Sequence, residues 1–167
     1  MIIGICSLYA NPLHNGHLEY LKAAKNKCHY LCCIVNNDEQ VKLKGAIPFL
    51  DEQTRANIVS NLAVVDFVTV SSSLNGNVAS DIEKIYNWQK LVFDFANNKK
   101  NKIILFNGGD RQSPDLIEAA ICRKYGIEMQ YGVGGIDKIN SSSKIIEDAA
   151  KEYIARQKQF RPQTRPN

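Results

Sequence analysis

Short apolar, β-branched runs alternate with helical patterns along nearly the whole chain, and that alternation leaves very few folds open. The runs are Ile2–Ser7 (IIGICS), Tyr30–Val35 (YLCCIV), Asp66–Val70 (DFVTV), Lys102–Phe106 and Ile127–Tyr131. Between them lie helical stretches. Gly16–Lys27 places Leu18, Leu21 and Ala24 on one face. Asp51 is a natural N-cap for a helix running through Ile58, Val59 and Leu62. A longer pattern spans about Ala79 to Phe95, Ser113-Pro114 opens another helix, and Ser141–Arg156 forms the last.

Strands that alternate with helices pair in parallel, and right-handed crossovers place all their C-terminal ends on one rim. The expected architecture is therefore α/β: a Rossmann-like three-layer α/β/α fold with a five-stranded parallel sheet. Ligands of such sheets sit outside that rim. The polar and glycine-rich segments collect there: the His14–His17 loop, Asn36–Lys44, Gly108–Arg111 and Gly132–Ser143. One domain is expected over residues 1–156, followed by a polar, proline-broken and mobile tail, 157–167 (QKQFRPQTRPN). No internal repeat is visible.

Composition excludes several classes. Apolar residues make up 44% and the net charge is +4, which suits anionic substrates but is too weak to indicate nucleic-acid binding. No basic stripe with interleaved aromatics appears. The five cysteines (Cys6, Cys28, Cys32, Cys33, Cys122) are odd in number and lack zinc-type spacing, so they read as reduced core residues. No stretch approaches the roughly 20 apolar residues of a membrane span. The first apolar run is too short for a signal peptide, and a cytoplasmic location is expected.

The chemistry concentrates at His14-Asn15-Gly16-His17, where the first strand passes into a helix. A helix N-terminus offers unpaired N–H groups and the positive end of the dipole, a ready anion site. Gly16 removes a side chain where a phosphate must come close. Residues three apart at a helix start share a side, so both imidazoles can reach one group. A polar turn carrying two histidines by chance is the plain alternative.

H-x-G-H after the first strand resembles the nucleotidylyltransferase family, which includes cytidylyltransferases and heptose-phosphate adenylyltransferases. The likeness extends through "NNDEQVKLKG", "PFLDEQTRANIVSNLAVVDFV", "FNGGDR" and "NSSSKII", in family order over roughly residues 2 to 150. It implies that a phosphorylated small molecule (a sugar phosphate or a glycerol-phosphate-like compound) attacks the α-phosphate of CTP or ATP and releases pyrophosphate. It further implies His14, His17 and Lys44 as catalytic residues. Tyr9, Ala10, Asn11, Gly16, Gly109, Asp110, Ser141, Ser142 and Ser143 fall at the nucleotide, and Asp38, Lys42, Arg55 and Arg111 at the acceptor. Mg²⁺ is the expected cofactor, carried on triphosphate oxygens with no dedicated protein metal site. A homodimer is implied as well.

The sequence also departs from the family pattern. Leu8, Ala10 and Asn11 stand where Gly, Phe and Asp are common, and Ile136 replaces an arginine before the last helix, with Lys138 nearby. These departures keep a second class of function open, a non-catalytic nucleotide or metabolite-binding protein. The Ser141–Ser143 cluster is also compatible with simple helix capping. Gly132, Gly134 and Gly135 read as a flexible turn, Tyr86 and Trp88 as core or subunit packing, and His29 as structural.

Overall fold

A computed structural model describes residues 1–92, 101–109, 117–135 and 141–159 of the chain. The elements run β1 (Ile2–Leu8), α1 (Asn15–Lys25), β2 (Tyr30–Val35), α2 (Asp38–Leu43), α3 (Glu52–Ser60) and β3 (Phe67–Val70). They continue through α4 (Ala79–Val92), β4 (Lys102–Gly108), α5 (Ile117–Tyr125), β5 (Glu128–Val133) and α6 (Ser142–Gln159). The sheet has five strands in the order β3-β2-β1-β4-β5, and every pairing is parallel. This is the α/β, Rossmann-like arrangement that the alternation predicts.

Two-residue alternation along the strands sorts the core into two layers. Cys6, Leu31, Cys33, Ile104 and Phe106 pack with Leu21 and Ala24 of α1 and Val59 of α3. Ile3, Ile5, Cys32, Ile34, Ile103 and Leu105 pack with Ile82 and Ile85 of α4 and Cys122 of α5. Four of the cysteines lie in these layers, and burial pushes the Cys32 thiol up to about 12 and Cys122 to about 11. At the edge of the sheet, Trp88 stacks on Phe67 with ring centroids 5.1 Å apart.

The strand order reverses between β1 and β4, the two strands that part to the opposite sides of the sheet. Connections after these two strands diverge, and a crevice opens above their C-terminal ends. His29 is structural, its Nδ1 accepting the Ile2 amide at 2.9 Å.

Two differences from the sequence-based expectations stand out. Residues 38–43 form a helix, α2, within the polar Asn36–Lys44 segment, where no helix is expected. Asn37 caps it reciprocally with Gln40, an N-x-x-Q capping box. The last helix runs to Gln159, three residues into the expected tail, because the first helix-breaking proline after it is Pro162. The Ser113-Pro114 helix start and the end of the expected Ala79–Phe95 helix lie outside the described residues.

Candidate active site

The β1 backbone leaves the sheet at Leu8 and turns sharply. Ala10 is buried and adopts a left-handed φ of 48°, unusual for a residue with a side chain. Asn11 follows, joined to Pro12 by a cis peptide bond. His14 is then the N-cap of α1, and its side chain makes no capping bond, so the helix start is not closed by its own cap. One turn places His17 beside it: the two imidazoles stack with centroids 3.8 Å apart and 22° between their planes. Both rings therefore present to one place.

Burial, and secondarily the neighbouring His14, lowers the His17 pKa from 6.5 to about 4. At neutral pH its imidazole is uncharged and donates through one ring nitrogen. His17 Nδ1 is buried and has no hydrogen-bond partner among the described residues.

A second helix start meets this pair. Ser141 Oγ accepts from the Lys144 amide at 3.2 Å and so caps α6, while Ser142 Oγ donates to the Pro12 carbonyl at 2.9 Å. That bond ties the start of α6 to the loop preceding α1. Gly134 makes the close fit possible: a Cβ there would lie 2.6 Å from Tyr20 Cα of α1, and its φ of +88° suits glycine. The Gly132–Gly135 segment is thus a packed turn against α1 as well as a connection.

These parts enclose a cleft of about 600 Å³ above β1, β4 and β5, lined by Tyr9, Asn11, His14, Gly16, His17, Lys44, Gly109 and Ser141–Ser143. Its size is typical of small-ligand sites. Lys44 closes one side, its Nζ 4.0 Å above the centre of the Tyr9 ring. Two helix N-termini, two imidazoles and an ammonium facing one space form a setting for a polyphosphate.

A family model described as cytidylyltransferase-like matches residues 9–107, from the turn after β1 to the end of β4. The chain belongs to the cytidylyltransferase-like family. It is 41% identical over 54 residues to the FAD synthase of Thermoplasma volcanium, covering 32% of this chain and 38% of that protein. It is 42% identical over 70 residues to the bifunctional protein HldE of Rhodopseudomonas palustris, covering 41% of this chain and 14% of that protein. The chain thus spans well under half of these relatives. The fold is similar to that of the lipopolysaccharide core biosynthesis protein of Thermoplasma volcanium, with TM-score 0.59, 24% identity and coverage of 84% and 99% of the two chains.

Within this cytidylyltransferase-like frame, four residues expected at the ligand have other positions. Arg55 is fully buried outside the cleft wall; its Nε donates to Leu50 O and its NH1 to the carbonyls of Tyr9 and Asn36. Its NH2 donates to Asp38 Oδ1 at 2.6 Å, and neither Arg55 nor Asp38 lines the cleft. Lys42 points to solvent and pairs with Glu39 at 2.6 Å, one α-helical turn away. Ala10 supplies the turn rather than the cleft surface. Asn11 lines the cleft, but its side chain bonds the Ile47 carbonyl at 2.8 Å and the Phe49 amide at 2.6 Å, fastening the loop after α2. Asp110 and Arg111, like Ile136 and Lys138, lie outside the described residues.

The cleft also contains residues that sequence reasoning passed over: Tyr20, Ile47, Asn107 and Glu147. Glu147 follows Ser143 by four residues and so shares its helix face, a signal present in the sequence. Asn107 sits inside the quoted FNGGDR segment. Tyr20 carried no such mark; its hydroxyl donates to the Phe106 carbonyl at 2.6 Å.

Proposed function

We propose that this protein is a nucleotidylyltransferase that transfers a nucleoside monophosphate from ATP or CTP to a phosphorylated small molecule. The observation that carries this reading is the stacked His14–His17 pair at the start of α1, in one cleft with the Ser141–Ser143 start of α6. An oxygen of the acceptor phosphate forms a bond to the α-phosphorus. The bond from that phosphorus to the bridging oxygen breaks, and pyrophosphate leaves with the electron pair. A phosphate monoester is already anionic at neutral pH, so no general base is required.

The chain's own residues then act by position and charge. The uncharged His17 and its partner His14 direct N–H groups at the α-phosphoryl oxygens, where negative charge builds. The α1 start adds its amides and dipole. Lys44 neutralises part of the triphosphate, and the Ser141–Ser143 start of α6 receives the outer phosphates. Mg²⁺ suits the donor set: among the described lining residues, the Glu147 carboxylate and the serine hydroxyls are hard oxygen ligands. Glu147 and the triphosphate oxygens would hold it, and it would offset phosphate charge there.

The similarity to an FAD synthase favours ATP over CTP and adds flavin mononucleotide to the sugar phosphates and glycerol 3-phosphate as acceptors. A homodimer in solution belongs to the same proposal. The test is a pyrophosphate-release assay with each nucleoside triphosphate, Mg²⁺ and that acceptor panel. Acceptor-dependent release is expected. Nucleotide binding with no release for any acceptor would instead identify a binding protein that keeps the fold.

A further inference from the structure

Asn107, the penultimate residue of β4, is 5% exposed and lines the cleft, and its Nδ2 is buried with no hydrogen-bond partner among the described residues. A buried amide donor without an acceptor lowers the stability of the empty protein, so such groups are rare unless a ligand completes them. The other buried orphan amide behaves differently. Gln89 sits in the core, where its Nε2 meets Cys32 Sγ at 3.4 Å and its Oε1 is unsatisfied, and it does not line the cleft.

We infer that Asn107 donates a hydrogen bond to an uncharged acceptor atom of the bound nucleoside and is a specificity-determining residue of the cleft. This rests on the nucleotidylyltransferase reading above. The phosphates already have hosts in the histidine pair, Lys44 and the two helix starts. Asn107 is followed in the chain by Gly108 and Gly109, and Gly134 and Gly135 line the same cleft. The Tyr20 hydroxyl donates to the Phe106 carbonyl and is not a partner of the Asn107 Nδ2. A neutral carboxamide followed by two glycines matches a ribose hydroxyl or a base ring nitrogen better than a phosphate. Glycines let the sugar and base lie close to the backbone.

The test is calorimetric titration of the wild type, Asn107→Ala and Asn107→Leu with ATP, CTP, their 2′-deoxy forms and inorganic tripolyphosphate. Both variants should lose about tenfold or more in affinity for the preferred nucleoside triphosphate, the effect of one missing hydrogen bond to a buried group. Both should keep wild-type affinity for tripolyphosphate. Without ligand, both should melt at or above the wild-type temperature, because no bond is lost. If the wild type binds the 2′-deoxy form as weakly as the variants bind the ribonucleotide, the acceptor is the ribose hydroxyl. Selection between ATP and CTP that is blind to the 2′ position and lost in the variants assigns the base. Unchanged nucleotide affinity in the variants, an equal loss for tripolyphosphate, or a lowered melting temperature in both would overturn the assignment while leaving the enzyme reading intact. A wild type that binds none of the nucleotides would overturn both.

Discussion

Arg55 reaches Asp38 with a 2.6 Å charged hydrogen bond while its remaining donors hold the carbonyls of Leu50, Tyr9 and Asn36. A guanidinium with no exposed surface therefore joins α3 to the turn after β1, the exit of β2 and the first turn of α2. Arg55→Ala strands one carboxylate and several carbonyls. The expected loss is about 3–5 kcal/mol, the usual result of removing one partner of a buried pair. Asp38→Asn, at a side chain partly open to water, should lose only about 1 kcal/mol. Urea unfolding of the two variants checks this, and a loss below 1 kcal/mol for Arg55→Ala would show the junction to be idle.

The imidazole pair is tested by turnover. His17→Ala should lower the rate of pyrophosphate release by about 10²–10³, the loss from one transition-state donor. Its melting temperature should remain close to that of the wild type. Near wild-type turnover would remove the pair from the mechanism.

The same residue predicts a pH dependence of stability. His17 titrates near 4 when folded and near 6.5 when unfolded, so between those values the unfolded chain binds the extra proton. Stability from this residue is full above pH 6.5 and declines as pH falls toward 4, by up to roughly 3 kcal/mol. His17→Gln cannot titrate, so its urea midpoint should fall less than the wild type's between pH 7 and 4.5. Parallel falls would mean that the ring is not held neutral by burial.

Lys44 and Tyr9 form the side wall. Lys44→Ala should raise the KM for the nucleoside triphosphate as well as lower turnover, since an ammonium placed against the triphosphate contributes to both. Tyr9→Leu keeps the charge but removes the ring that seats it, about 0.5–1 kcal/mol of cation–π attraction. A KM rise of about two- to fivefold is expected, smaller than that of Lys44→Ala. Steady-state kinetics decides the order, and unchanged nucleotide KM in Lys44→Ala would detach this lysine from the phosphates.

Gly134→Ala is a steric test of how the cleft is assembled. The new methyl would meet the Tyr20 backbone at 2.6 Å from a left-handed φ of +88°, so the turn or α1 must move. A loss of about 3 kcal/mol is expected from overpacking and backbone strain together. Gly135→Ala has open space at the Cβ position and carries only the strain of its φ of +97°. Thermal unfolding of the two variants should rank Gly134→Ala as the more damaging, and the reverse order would argue against close packing there.

The alternation of β-branched runs with helical patterns determined the sheet, its parallel pairing and the rim on which ligands gather, because strand and helix periods are local properties of the chain. Spacing likewise placed His14 and His17 on one side of a helix start, since a helical turn is a short-range object. The α2 helix was missed, although its signal is local: the Asn37–Gln40 capping box lies within four residues. Which charged residue faces the ligand was not a local matter. Arg55, Asp38 and Lys42 share a segment and a chemistry with phosphate-binding side chains. Only the crossing of α3 behind the β1 turn gives Arg55 four backbone and carboxylate acceptors in place of a phosphate. Tyr20, Asn107, Gly134 and Ser142 belong to the cleft through contacts between segments scores of residues apart, and such contacts exist only once the sheet has set the distances.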